Sequence, residues 1–382
     1  MRFLSKLNLK KYRDKVCLLR VDLNIETLAE APHNLRINAI VPTVALLRKR
    51  GVTVVILSHR GRPNGNSRRP ETKNLKPATR HRKLSLKPFV PVLSRKFRER
   101  VVFIPHFRFA EIERQVRSGG GGIFLFENLR FLPGEERDDQ ALARKLARIG
   151  DFYVNDAFAV SHRANASLRA LARRLPRYAG LLFESELARL GKAMKRPVRP
   201  FTMIVGGAKI TDKIAVLTTL GKKADTILLS GGPASTFFAA QGLPVGESLV
   251  DISALPFVKK NLGNIHIALP EDVKLSGRKI WDIGSRTTMN WREIIRRSRT
   301  IVWSGPPGMY EAHGFERGTV GVWRAVLANK RSQTVVGGGE TVASLALVRG
   351  ARIPRNVFLS TGGGAMLEFL SGKKLPGIEA LK

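Results

Sequence analysis

Five short, mostly apolar runs in the second half of the chain each end in a cluster of glycines. This pairing constrains the fold more than any other feature. Met203–Val205 precedes Gly206-Gly207-Ala208-Lys209, and Ile227–Leu229 precedes Ser230-Gly231-Gly232. Ile301–Trp303 precedes Ser304-Gly305-Pro306-Pro307-Gly308, Thr334–Val336 precedes Gly337-Gly338-Gly339-Glu340-Thr341, and Val357–Leu359 precedes Ser360-Thr361-Gly362-Gly363-Gly364. Apolar runs without alternation read as strands covered on both faces, as in a parallel sheet. Ligands of such sheets bind outside the carboxyl ends of the strands. Glycine there lets backbone approach a ligand, and helix N-termini offer unpaired N–H groups to anions. Five such turns on one edge point to a phosphate or nucleotide site. A series of tight turns that bind nothing is the plainer alternative.

The first half has the same alternation. Val16–Leu23, Val52–Leu57, Val101–Ile104, Ile123–Phe126 and Phe152–Val154 are strand candidates. Asn38–Arg50 has Ile40, Val44 and Leu47 on one helical face, and Asp139–Ile149 is amphipathic. Each of the five turns of the second half is expected to lead into a helix. Alternating strands and helices imply an α/β chain with parallel sheets. Leu181–Met194 reads as a helix broken by Arg196-Pro197-Val198-Arg199-Pro200, where a domain junction is expected.

Composition narrows the function. With 67 Lys+Arg against 30 Asp+Glu, the net charge is +37. Residues 60–100 contribute 14 of those cations against Glu71 and Glu99 alone. Such a field attracts anions. The readings are a solvated basic surface, a field for phosphate ligands, or nucleic-acid binding, and no aromatics interleave to form a base-stacking platform. Cys17 is the one cysteine, which excludes an intrachain disulfide and a Cys-rich zinc site. Apolar runs are far short of a bilayer span, and Met1–Arg20 has no continuous signal-peptide core, so a cytoplasmic protein without membrane contact is expected. No G-x-x-x-x-G-K-[ST], no G-x-G-x-x-G after the first strand of either half, and no H-E-x-x-H is present.

Taken in order, the motifs resemble those of the phosphoglycerate kinase family over nearly the whole chain. The resemblance rests on Arg20-Val21-Asp22-Leu23-Asn24, Arg36-Ile37 with Pro42-Thr43, and His59-Arg60-Gly61-Arg62-Pro63. It continues through Phe126-Glu127-Asn128-Leu129-Arg130-Phe131, Asn155-Asp156-Ala157-Phe158 with His162-Arg163, the five glycine turns, and Leu375-Pro376-Gly377-Ile378. It implies two doubly wound, Rossmann-like parallel-sheet domains joined by a helix across a cleft. The expected boundaries are a triose-substrate domain at 1–178, an interdomain helix and hinge at 179–195, a nucleotide-binding domain at 196–366, and a tail at 367–382 that packs back on the first domain. The implied reaction is reversible transfer of the acyl phosphate of 1,3-bisphosphoglycerate to ADP, giving 3-phosphoglycerate and ATP, with Mg²⁺.

The resemblance also assigns roles. Asp22, Asn24, Arg36, His59, Arg62, Arg130 and Arg163 are the implied triose ligands, and arginine suits phosphate because its planar fork binds two oxygens at once. Arg36 and Lys209, with the backbone of Gly363 and Gly364, would stabilise the transferring phosphoryl group. Lys213, Glu311, Gly338, Gly339, Glu340 and Thr341 are the implied nucleotide contacts, with Glu340 and the nucleotide phosphates holding Mg²⁺. Lys209 and Lys213 are one turn apart and share a face if the segment is helical. The nucleophile is a carboxylate or diphosphate oxygen, ionised at neutral pH, so no general base is required. Four positions depart from the family pattern: Ser304 stands where asparagine is usual, Glu340 where aspartate is usual, Ser285 where proline is common, and Glu184 where lysine is frequent in the linking helix. The first two touch the nucleotide side. The competing expectation is a low-activity kinase-fold protein that binds RNA or another polyanion through its basic surface; nucleic acid is the lesser expectation, and a monomer the default.

Overall fold

The apolar runs become strands of two parallel sheets, with Val101–Ile104 and Val357–Leu359 at their edges. The computed structural model describes residues 1–25, 27–63, 77–261 and 266–382. Much of the basic stretch noted above, at 64–76, lies outside the described residues. The chain forms two compact units, Met1–Glu186 with Lys374–Lys382, and Leu187–Lys373.

In the first unit the described strands are β1 (Val16–Arg20), β2 (Thr53–Leu57), β3 (Val101–Ile104), β4 (Ile123–Phe126), β5 (Phe152–Asn155) and β6 (Arg177–Ala179). They form one parallel sheet in the order β3-β4-β2-β1-β5-β6. All five residues of β1 and of β2 are buried, as a strand covered on both faces requires. Helix Leu35–Lys49 covers the sheet through Ile37, Ile40, Val44 and Leu47, and the Asn34 side chain caps it by accepting from the Arg36 amide. Register places Arg20 beside both Leu57 and Asn155, so the segments that follow β1, β2 and β5 leave the sheet at one edge.

Asp156, just past β5, anchors the start of helix Leu181–Lys195 by accepting from the Phe183 amide at 2.9 Å. Gly180 gives it room, because a Cβ there would overlap the Asp156 carboxylate. The boundary between the units falls inside this helix, after Glu186. The chain's last stretch joins the first unit: the Gly377 amide donates to the Ser161 carbonyl at 2.8 Å, and a Cβ on Gly377 would press on Ser161. Phe3 forms a parallel bridge with Ala179.

The second unit is built on β7 (Phe201–Val205), β8 (Thr226–Leu229), β9 (Ile267–Ala268), β12 (Thr300–Ser304), β13 (Gln333–Gly337) and β14 (Val357–Leu359). The order is β14-β13-β12-β7-β8-β9, again all parallel. An antiparallel pair, β10 (Val273–Ser276) and β11 (Lys279–Ile283), stands apart from this sheet. Trp303 and Trp323 meet in the core with ring centroids 4.5 Å apart. Three of the glycine turns open directly into helices, Gly231–Ala240, Gly339–Ala343 and Gly364–Leu370. The turn after β7 passes through a single 3-10 turn, Thr211–Lys213, into helix Ile214–Thr219. The turn after β12 does not open a helix as expected. It runs on as a loop through Glu316 to helix Arg317–Ala328, and the loop is tied to β11 by the Met309 amide, which donates to the Trp281 carbonyl at 2.7 Å.

Candidate active site

The carboxyl edge of the first sheet gathers a cluster of cations around one imidazole. His59 follows β2 and is buried. Its Nδ1 lies 3.2 Å from Arg20 Nη2 and 3.9 Å from Asp22 Oδ1. Arg36, from the first turn of helix Leu35–Lys49, reaches back to the β1 loop, where Nη1 donates to the Asn24 carbonyl at 2.6 Å and lies 3.4 Å from Asp22 Oδ2. The Asn24 side chain accepts from the Gly61 amide at 2.8 Å, and the Asn24 amide donates to Asp22 Oδ1 at 2.9 Å. Arg130 donates to the Gly61 carbonyl and places Nε 3.3 Å from Glu136. These bonds join the loops after β1, β2 and β4 into one framework.

The electrostatics report the same convergence. Burial holds the His59 imidazole well below its usual range, and the nearby charges of Arg130, Arg20, Arg163 and Arg36 lower it further. Burial and the neighbouring Arg163 bring Arg130 down to about 10, with Arg20 and Arg62 adding to the fall and Glu136 opposing it. Arg163 is lowered by burial and then by Arg62. Guanidinium groups that depress one another are crowded on a common spot, a concentration of like charge that an anion relieves. Direct contacts join Asp22, Asn24, Arg36, His59 and Arg130, and the charges of Arg62 and Arg163 act on the same spot, although these residues come from segments far apart in sequence.

The glycine turns of the second unit serve two purposes. Some let adjacent turns touch: a Cβ at Gly232 would overlap the Ala208 carbonyl, and one at Gly305, where φ is +94°, would overlap Gly206. Others face open space: nothing lies within 4 Å of a Cβ placed at Gly339, Gly363 or Gly364. Only this second group can be explained by room left for a ligand. Lys213 is buried, and its Nζ donates to the Lys209 carbonyl at 3.1 Å, whereas Lys209 is exposed. Burial lowers Lys213, and the charges of Asp212 and Glu340 oppose that shift. Thr341 is fully buried and its hydroxyl accepts from the Gly305 amide at 2.7 Å, tying the turn after β13 to the turn after β12. Ser304 is buried, while Glu340 is exposed. Burial and the neighbouring Glu311 push the Tyr310 hydroxyl up to about 12, with the Glu340 charge adding to the rise.

Two participants are not apparent from the sequence alone. Arg20 ends an otherwise apolar buried strand, and a charge in such a run is the one sequence signal that would have drawn attention to it. Asp251 accepts from the Thr211 amide at 3.2 Å and from the Thr211 hydroxyl, so it fixes the turn that carries Lys209 and Lys213. It follows no recognisable motif. Among the described residues, no cluster of three or more His, Cys, Asp or Glu side chains could hold a metal ion, and no helix is long and apolar enough to cross a membrane.

Comparison with known proteins agrees with this geometry. The family model described as phosphoglycerate kinase matches residues 7–373. The phosphoglycerate kinase of Herpetosiphon aurantiacus is 38% identical over 394 residues, covering 96% of each chain. That of Moorella thermoacetica is 37% identical over 406 residues, covering 99% of each. Among solved structures, the phosphoglycerate kinase of Coxiella burnetii superposes with a TM-score of 0.78 at 32% identity, covering 99% of this chain and 98% of that one. The enzyme from Pyrococcus horikoshii OT3 gives 0.83 at 29% identity, covering 100% and 98%. Matched in sequence over residues 7–373 and in fold by solved structures, the chain belongs to the phosphoglycerate kinase family.

Proposed function

We propose that the cation cluster of the first unit holds 3-phosphoglycerate or 1,3-bisphosphoglycerate, that the glycine turns of the second unit hold ATP or ADP, and that the chain moves the acyl phosphate reversibly between them. The reaction class, phosphoryl transfer with a carboxyl group as acceptor, is that of the family. The observation that supports this residue assignment most is the crowding of Arg20, Arg36, Arg130 and Arg163 around buried His59. A triose bearing phosphate and carboxylate offers several anionic oxygens in a small volume, which matches that concentration of donors.

Within this reading, Arg62, Arg130 and Arg163 grip the phosphate remote from the reacting carbon, and His59 donates a neutral hydrogen bond. Asp22 and Asn24 orient the hydroxyl and carboxylate. Arg36 stands beside the carboxylate and neutralises charge as the phosphoryl group arrives. Lys209 and Lys213 face the nucleotide phosphates, and the free amides at Gly338–Gly339 and Gly363–Gly364 supply neutral donors. Glu311 meets a ribose hydroxyl. Thr341 acts through the Gly305 turn that it secures.

The donor set fits Mg²⁺. Mg²⁺ keeps much of its water and takes one or two carboxylates together with substrate phosphates, so a three-ligand protein cage is not needed. Glu340 is exposed beside the open Gly339 position and is the carboxylate that would hold the ion. When bound, the ion neutralises charge on the nucleotide phosphates. A cytoplasmic, monomeric enzyme completes the proposal.

The test is a coupled assay with 3-phosphoglycerate and MgATP. ADP should form, and its formation should cease without 3-phosphoglycerate. Calorimetric binding of 3-phosphoglycerate without any turnover would reject the kinase reading.

A further inference from the structure

Arg20 is 1% exposed and His59 is 2% exposed, and they meet beneath the triose cluster. The three guanidinium nitrogens of Arg20 point in three directions. Nε donates to Ser167 Oγ at 2.8 Å, Nη1 donates to the Val21 carbonyl, and Nη2 lies 3.2 Å from His59 Nδ1. The guanidinium is itself held. Its Nη2 is 4.0 Å from Glu135 Oε1, and Glu135 is fully buried. Ser167 closes the clamp, with its hydroxyl donating to Glu135 Oε1 at 2.7 Å and its amide to Oε2 at 3.0 Å.

A guanidinium stays charged, carries only N–H donors and cannot accept. The nitrogen it faces must therefore be an acceptor. A proton on Nδ1 would set N–H against N–H at 3.2 Å. It would find no better partner in Asp22, whose Oδ1 is 3.9 Å away, beyond hydrogen-bond range, and already accepts from the Asn24 amide. Turning the ring over would set Cδ2–H against the guanidinium, which also loses the bond. The remaining charged groups that face the ring are Arg130, Arg163 and Arg36, all cations, so a second proton on the imidazole is opposed from several elements at once.

We propose that Arg20 is a positioning residue for the triose site: clamped by Glu135 and Ser167, it fixes His59 as the Nε2–H tautomer, so the imidazole meets its anionic ligand as a neutral donor. This deepens the function proposed above and rests on it for the identity of the ligand. Binding through His59 then does not depend on protonation in the range where free histidine titrates.

The experiment is two-bond ¹H–¹⁵N correlation of the ¹⁵N-histidine-labelled full chain, with the His59 signals identified by their loss in His59→Gln. Nδ1 should be bare and Nε2 protonated from about pH 8 to about pH 5, a window in which an unperturbed imidazole changes charge. An Nδ1–H tautomer, or a titration midpoint inside that window, overturns the proposal. Arg20→Gln should bring in the second tautomer and raise KM for 3-phosphoglycerate by about tenfold, with KM for MgATP unchanged. Retention of the Nε2–H tautomer in Arg20→Gln would also overturn it. The wild-type spectrum needs no turnover. A locked tautomer in a protein without kinase activity would support the Arg20 assignment and count against the proposed reaction alone.

Discussion

Lys213 Nζ donates to the carbonyl oxygen of Lys209 at 3.1 Å, so the two lysines of one short turn are coupled but not equivalent. Lys213 is buried and helps to shape the backbone from which exposed Lys209 projects. Lys209→Ala should cut kcat by about a hundredfold, the usual scale for one lost stabilising donor, and leave the thermal midpoint unchanged. Lys213→Ala should lower kcat and also destabilise the second unit, because the Lys209 carbonyl loses its donor. Steady-state kinetics beside thermal melts separate the two.

Arg36 spends one donor on the Asn24 carbonyl at 2.6 Å and stands 3.4 Å from Asp22. Arg36→Ala removes both a positioning contact and a charge. A fall in kcat/KM for 3-phosphoglycerate of about a thousandfold should follow, with nucleotide affinity preserved. Isothermal titration with ADP checks the second half of the claim. Equal losses for both ligands would show that Arg36 acts through the fold.

Glu340 is the one carboxylate that the proposal gives to Mg²⁺. Glu340→Gln should shift the Mg²⁺ dependence of turnover to higher concentration and raise KM for MgATP by about tenfold. KM for 3-phosphoglycerate should not move. Chelation with EDTA should abolish turnover without changing the melting point of the nucleotide-free chain.

Asp156 is fully buried, its Oδ2 lacks a hydrogen-bond partner among the described residues, and burial pushes its carboxyl up to about 7 against the bond from the Phe183 amide. An unfolded aspartate titrates near 3.9. Between those values the folded chain keeps a proton that the unfolded chain has released. This group's contribution is therefore most favourable at acid pH, declines as pH rises from about 4 to about 7, and is constant above. The full swing is on the order of 4 kcal/mol. Asp156→Asn imitates the protonated form. Its stability advantage over the wild type should grow from pH 5 to pH 7, which urea melts at several pH values will measure. A constant difference would mean that Asp156 is ionised in the fold at every pH.

The parallel sheets could be read from the sequence because double-sided burial leaves a local trace. Val54–Leu57 or Ile301–Trp303 can only be covered on both faces, and the glycines mark where each strand ends. The β10–β11 hairpin left no such trace. Lys274, Lys279 and Asp282 interrupt its apolar residues, and it forms no part of either main sheet. Helix Ser285–Arg297 was hidden likewise, since only Thr287, Trp291 and Ile295 are buried among its polar residues. In the site, Arg62, Arg130 and Arg163 were visible through their motifs. The use of Thr341 was not, because its hydroxyl meets an amide in another turn. Glu135 was equally silent: a surface acid and a buried counter-charge look alike until the chain has folded around Arg20.

Residues 374–382 belong to the first unit, although the whole of the second unit precedes them in the chain. During synthesis, the second unit therefore has its full complement of residues before the first receives its closing piece. The nascent first unit waits with the Ser161 carbonyl unpaired and the seat of Gly377 empty. The emergence of residues 374–382, and not that of the first 186 residues, becomes the step that completes the half of the molecule made earlier.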